Sequence, residues 1–308
     1  MTGAVRFVLG DRIETVAAPD PATTVLQWLR REGRIGTKEG CAEGDCGACT
    51  VVVGDLVDGR LRYRAVNACI LFLAMLDGRQ LITVEDLKRP DGMLHPVQRA
   101  MVENHASQCG FCTPGFVMSL FALYHDVADA GAASDDEAIL DALAGNLCRC
   151  TGYRPIVDAA RGLLAGATAD HFARQAGRTA SLLRSLARDA GLAYRAETGR
   201  RWFAPRSLDE LVPILASHPD AWLLAGGTDV GLWVTKQHRR PDTVIWLGEV
   251  ADLGTITQAD GKLDLGAGAT YTAALPVIET HWPAFGELIR RLGSTQIRNS
   301  GTIGGNVA

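Results

Sequence analysis

The chain has 308 residues, with 31 Lys and Arg against 35 Asp and Glu, for a formal net charge of −4. With 47% apolar and 21% charged residues, it reads as a globular protein and not as a binder of nucleic acid or of an anionic membrane. No apolar run approaches the roughly 20 residues of a membrane span, and the first residues lack the apolar stretch of an export signal, so a cytoplasmic location is expected.

Residues 5–9 and 12–16 flank Gly10 and Asp11 and predict a hairpin. Over 24–31, Val25, Leu26, Trp28 and Leu29 share one face and Gly33 follows, which predicts a short helix. Strands at 49–53, 61–64 and 81–84 complete a small mixed sheet, giving a first domain over residues 1–85. Residues 86–165 read as helical, with helices at 96–107, 114–127, 135–143 and 155–164. Pro96, Pro114 and Pro155 sit where a first helical residue would, and Asp135, Asp136 and Glu137 open the third helix. Four short helices predict a bundle. Residues 166–200, rich in Ala, Arg and Gly, read as a surface linker, helical in part. From 201 to 308 the pattern turns α/β, with a helix at 207–217 and strands at 221–225, 243–247 and 262–266.

All eight cysteines lie in the first half. A disulfide scaffold fits poorly, because the chain is large and shows no export signal. Cys41, Cys46 and Cys49 follow C-x4-C-x2-C, and Cys69 comes after them. This is plant-type spacing for a 2Fe-2S cluster. Gly40, Gly44 and Gly47 let the loop curl and bring N–H groups near the sulfurs, where they favour the more negative reduced state. Structural zinc also takes four thiolates, but usually from two short knuckles.

The remaining cysteines form Cys109-x2-Cys112 and Cys148-x-Cys150, each pair just before a predicted helix start. Two helix N-termini facing each other would stabilise an anionic cluster between them. On ligand chemistry alone, zinc and iron–sulfur both remain open at this second set.

The run from Gly36 to Val51, the segment from Gln108 to Phe116 and the segment from Gly145 to Tyr153 together resemble the iron–sulfur portion of the molybdenum hydroxylase (xanthine oxidase) family. The resemblance covers residues 1–165 and implies two 2Fe-2S clusters. One would be held by Cys41, Cys46, Cys49 and Cys69, the other by Cys109, Cys112, Cys148 and Cys150. It also implies that Cys150 approaches the pterin.

Two glycine pairs lie further on. Leu223, Leu224, Ala225, Gly226, Gly227, Thr228 and Asp229 run from a predicted strand into a turn, and Thr302, Gly304, Gly305 and Asn306 lie near the end. Alone, each reads more simply as an ordinary turn, and no G-x-G-x-x-G fingerprint is present. The same resemblance implies that both are FAD-binding segments, with residues 266–270 an intervening strand and turn. The implied architecture is multidomain α+β. It comprises a β-grasp ferredoxin-like domain, a four-helix-bundle 2Fe-2S domain and the N-terminal part of an α/β FAD-binding domain. Only 108 residues follow Arg200, and the family's flavin domain is about twice that size, so the sequence reads as C-terminally truncated.

His95, His105, His125, His171, His218, His238 and His281 are scattered, and none pairs with another at ligand spacing. Arg149, Arg154 and Arg161 read as a solvated helix face. No nucleophile–base pair stands out, so no catalytic residue is expected on this chain. The resemblance implies an electron-transfer subunit. A purine would be hydroxylated at a molybdopterin cofactor on a large partner subunit, and electrons would pass through the clusters to FAD and NAD. The implied assembly is a heterotetramer with two copies of each chain. Two other readings stay open. One is the same subunit in an aldehyde or N-heterocycle hydroxylase. The other is a stand-alone iron–sulfur carrier or a zinc-stabilised interaction module.

Overall fold

A computed structural model describes residues 3–89, 91–130 and 135–308. Strands β1 (Ala4–Leu9) and β2 (Arg12–Ala17) form the predicted hairpin. Helix α1 (Val25–Arg31) is started by a capping box in which the Thr24 hydroxyl accepts from the Gln27 N–H at 3.2 Å. Its buried Val25, Leu26, Trp28 and Leu29 lie on the sheet, with Trp28 edge-on to Phe7 at 5.2 Å between ring centroids. Burial of each such aliphatic side chain contributes about 1.5–3 kcal/mol. Strands β3 (Thr50–Val57), β4 (Arg60–Asn67) and β5 (Gln80–Ile82) complete a five-stranded sheet of order β2-β1-β5-β3-β4. Only the β1–β5 pairing is parallel.

Strand periodicity joins the first two domains. Val51 and Val53 face the core shared with α1, while Val52 between them faces a second core with Phe116 and Phe121. That second core is built by α2 (Pro96–Glu103), α3 (Thr113–Ala130), α4 (Asp136–Leu143) and α5 (Arg154–Ala165). Of these, α3 lies on the sheet face opposite α1, against β3 and β4, and the other three helices pack around it. The Asp135 carboxylate caps α4 by accepting from the Ala138 N–H at 2.9 Å.

The segment 166–200 differs from the linker expected. It contains α6 (His171–Leu186), whose Leu183 and Leu186 pack against Val8 of β1. It also contains β6 (Leu192–Arg195), which pairs with β7 (Arg201–Ala204) in the third sheet. The helical part that was expected is amphipathic and packed, with Phe172, Ala180, Leu183 and Leu186 on its buried face.

Next come α7 (Leu208–Ser217), β8 (Trp222–Leu224), α8 (Val230–Thr235) and β9 (Thr243–Trp246). The third sheet has order β6-β7-β9-β8, and β9 is parallel to both of its neighbours. The hairpin of β10 (Ile256–Ala259) and β11 (Lys262–Leu265) follows, then α9 (Tyr271–His281), α10 (Pro283–Arg290), α11 (Thr295–Arg298) and α12 (Ile303–Val307). Tyr194, Trp202, Leu224 and Trp246 of the third sheet share one core with Leu71, Phe72 and Leu76 of the first domain. Among the described residues, no helix is long and apolar enough to cross a membrane.

Candidate functional site

The eight cysteines are free and gather as two sets of four. In the first set, Cys41 and Cys46 face each other across a tight loop. The Cys46 N–H points at Cys41 Sγ and the Cys41 N–H at Cys46 Sγ, each at 3.3 Å, and the Glu43 N–H reaches Cys41 Sγ at 3.4 Å. Gly44 and Gly47 hold φ of +79° and +68°, and a Cβ on Gly40 would lie 2.8 Å from Cys46 Sγ. Cys49 and Cys69 are buried and their thiols are neighbours, with Cys49 Sγ 4.0 Å from Asn67 Oδ1. The neighbouring Cys49 thiol, with burial, pushes the Cys69 thiol up, while the nearby Cys69 thiol lowers Cys49 against the opposing effect of burial. Four soft sulfurs with backbone donors aimed at them fit an anionic iron–sulfur cluster better than a zinc knuckle.

In the second set, Cys112 contacts Cys148 and Cys109 contacts Cys150. Burial, followed by the neighbouring Cys148, raises the Cys112 thiol to about 12. Burial opposes a low value at Cys148, but the Thr151 hydroxyl, 3.2 Å from Sγ, and the Thr151 N–H outweigh it. The Cys148 N–H donates to the Tyr153 hydroxyl at 2.9 Å. Tyr153 holds φ of +67° as the residue before α5. Helices α3 and α5 both start beside this set, as expected for stabilising an anion. Cys109 and Cys150 are exposed, and so are Phe111, Leu147 and Tyr153 around them.

The two sets are neighbours. The Leu147 N–H donates to the Cys46 carbonyl at 3.0 Å. Phe111, between Cys109 and Cys112, lies 3.8 Å from where a Cβ on Gly40 would stand.

The third domain reaches the first set from the other side. Lys236, just beyond α8, donates to the Cys41 carbonyl and pairs with Glu43 at 3.3 Å. Gly231 packs so closely that a Cβ would lie 2.7 Å from Ile70 Cβ, next to Cys69. The predicted glycine turn adjoins it. Gly227 has φ of +77° and would place a Cβ 3.4 Å from the Ile70 carbonyl. Gly226 sits flush against Ser300, whose carbonyl oxygen would be 1.8 Å from an added Cβ.

Among the described residues, the N–H groups of Gly226, Gly227, Thr228 and Asp229 find no protein acceptor, so the turn offers donors to an anion. Thr302 bridges to Thr270 and caps α12, accepting from the Gly305 N–H at 3.1 Å. Ala225, Gly226, Thr270, Ser300 and Thr302 line one cavity of about 200 Å³, together with Arg64, Arg79 and Trp246. Leu224 is buried below the turn, whereas Leu223, Asp229, Gly305 and Asn306 are exposed. Of the residues in the two predicted glycine segments, Ala225, Gly226 and Thr302 line this cavity, and its polar lining suits an anion. The cavity is below the roughly 300–1,000 Å³ of a full small-molecule site.

Sequence spacing missed a buried cluster. His95 and His125 converge on Asp170, with Nε2 atoms 2.6 and 3.1 Å from the same carboxylate oxygen. His95 Nδ1 accepts from the Val97 N–H at 3.2 Å, so its Nε2 carries the proton and donates. A metal at that Nε2 would require an imidazolate, so His95 is instead hydrogen-bonded to Asp170, with His125 Nε2 lying near the same oxygen without a hydrogen bond of its own among the described residues. The three residues come from separate elements, so no local motif announces them.

Three family profiles match the chain. A 2Fe-2S iron-sulfur cluster binding domain covers residues 8–74, a 2Fe-2S binding domain covers 83–161, and an FAD binding domain in molybdopterin dehydrogenase covers 194–308. The chain belongs to the molybdenum hydroxylase family. This molybdenum hydroxylase chain is 32% identical to xanthine dehydrogenase of Emericella nidulans over 99% of its own length and 26% of the relative's. Against aldehyde oxidase 2 of Cavia porcellus it is 33% identical over 98% of its length and 27% of the relative's. It therefore spans about a quarter of the curated relatives it matches. Among solved structures, quinoline 2-oxidoreductase from Pseudomonas putida 86 matches at 28% identity and a TM-score of 0.45, over 57% of this chain and 97% of the other.

Proposed function

We propose that this chain is the electron-transfer part of a xanthine dehydrogenase, serving purine hydroxylation at a molybdenum cofactor on a large partner subunit and delivering electrons to NAD. One observation carries the reading, namely the unbroken succession of sites. The exposed Cys109/Cys150 set touches the Cys46 loop through Leu147, and the Cys69 side of that loop touches the glycine turn through Ile70. Bound at these places, two 2Fe-2S clusters and FAD supply one-electron carriage and its conversion to two-electron chemistry.

The chain's own residues supply the rest. Cys41, Cys46, Cys49 and Cys69 would hold one cluster, and Cys109, Cys112, Cys148 and Cys150 the other. Residues 223–229 with Thr302, Gly304, Gly305 and Asn306 would hold the flavin phosphates. The N–H groups near Cys41 and Cys148 favour the more negative state of the group they face. The exposed Phe111, Leu147 and Tyr153 give the second set an apolar rim suited to a partner subunit.

Identity to aldehyde oxidase 2 equals or exceeds that to the xanthine dehydrogenases, which supports a second reading with an aldehyde substrate. The proposal is tested on natively purified complex by iron, acid-labile sulfide and flavin analysis. It predicts two clusters and one flavin per chain, together with a co-purifying molybdenum subunit. Zinc in place of iron, or clusters without flavin or partner, would contradict it.

A further inference from the structure

Gln296 is a fully buried amide on the short helix α11 of the third domain, yet its side chain ends inside the contact between the two cysteine loops. Its Nε2 donates to Ser119 Oγ and to Asn146 Oδ1, each at 3.0 Å. The Ser119 hydroxyl donates to the same Asn146 oxygen at 2.6 Å. On its other side, Asn146 Nδ2 donates to the Gly47 carbonyl at 3.1 Å. These partners fix both amide orientations. The Gly47 carbonyl can only accept, so Asn146 must turn Nδ2 to it and Oδ1 to Gln296, which must then present its donor.

Asn146 lies next to Leu147, whose N–H meets Cys46, and Gly47 is the residue after Cys46. The loops meet here backbone to backbone. A Cβ on Gly145 would lie 2.2 Å from Gln296 Oε1, an oxygen with no hydrogen-bond partner among the described residues. That oxygen is held against bare backbone by the donor side of the same amide.

We propose that Gln296 is a positioning residue for electron exchange between the two cluster sites, acting through Asn146 to hold the Leu147–Cys46 contact. The inference rests on the proposed function, since it presumes that both sets hold iron–sulfur clusters. In the exchange, one electron leaves the reduced cluster at the Cys109/Cys150 set and enters the oxidised cluster at the Cys41/Cys69 set. No bond or proton changes hands. The third domain thereby contributes to a step between two groups that it does not itself ligate.

The test uses natively purified, iron-loaded complex reduced with substoichiometric dithionite. Rapid freezing and low-temperature electron paramagnetic resonance follow how one electron redistributes between the clusters. Gln296→Met keeps the length but removes the donor. It is expected to retain full iron and both cluster signals while redistribution slows about tenfold or more, the range found for outer-shell changes at metal sites. Gln296→Glu places an acceptor against Asn146 Oδ1 and is expected to slow it at least as much. Thr295→Ala removes a contact of the same helix to the Asp141 carbonyl, made at 2.9 Å, without touching Asn146. It is expected to leave the rate unchanged.

Parental rates in Gln296→Met with both signals intact would overturn the inference. Equal slowing in Thr295→Ala would also overturn it, because the effect would then belong to domain docking in general. Absence of cluster signals from the parental complex would instead overturn the proposed function.

Discussion

The backbone N–H of Leu147 donates to the carbonyl of Cys46 across 3.0 Å, joining a loop of the helical domain to the cysteine loop of the sheet domain. Glycines allow this approach. A Cβ on Gly47 would lie 2.1 Å from the Gly145 carbonyl, and one on Gly115 would lie 2.1 Å from the Gly47 carbonyl. Gly47 also needs its positive φ of +68°. Gly47→Ala should therefore destabilise the protein by about 2–4 kcal/mol, combining backbone strain and overpacking. It should also lower iron retention in the first set. Urea unfolding of parent and variant checks this, and an unchanged midpoint would contradict it.

The two cysteine sets differ in burial, and their variants should differ accordingly. Cys49→Ser, at a buried position, should lose about half the iron and lower the melting temperature, whereas Cys150→Ser, at an exposed one, should lose about half the iron with little change in melting. Iron and acid-labile sulfide analysis beside calorimetry separates them. Loss of all iron in either variant would show that the sets do not load independently.

Asp170 anchors α6 to the helical domain and caps that helix, accepting from the Ala173 N–H at 2.8 Å. Burial alone would raise its carboxyl, but the His125 and His95 rings and the capping N–H hold it below the ordinary carboxylate range. As pH falls, the unfolded chain takes up this proton first, near the ordinary Asp value of about 3.9. The contribution is thus whole at neutral pH and fades below about pH 4. Asp170→Asn should cost about 1.5–3 kcal/mol at pH 7, as for losing hydrogen bonds to a buried carboxylate, with a smaller difference at pH 3. Denaturant titrations at both values measure it. An equal cost at the two pH values would contradict the assignment.

Gly226 tests the flavin segment separately from the iron sites. An added methyl would run into the Ser300 carbonyl and force apart the turn and the loop before α12. Gly226→Ala should release FAD during gel filtration while both clusters remain. Flavin retained at the parental ratio to iron would remove this turn from the site.

Much of the first two domains was legible because local signals agreed with the final packing. The hairpin at Gly10, the apolar face of α1 and the four helices of the bundle all appeared near their predicted places. Cysteine spacing likewise predicts the two groups of four, although packing of separate elements, and not a single loop, brings Cys69 to the first group and Cys148 with Cys150 to the second. Three features were legible only in part or not at all. Helix α6 was anticipated as the helical part of a surface linker, but its packing against β1 was not. His95, His125 and Asp170 meet only through tertiary packing of separate elements. Gln296 shows no local pattern either, because its partners Ser119 and Asn146 lie 177 and 150 residues away.

The most direct measurement adds xanthine, without oxygen, to the natively purified complex and follows the visible iron–sulfur and flavin absorption. The account predicts bleaching, with the iron–sulfur and flavin bands both reduced by substrate electrons. Bleaching by dithionite but not by xanthine would contradict purine oxidation as the source of those electrons.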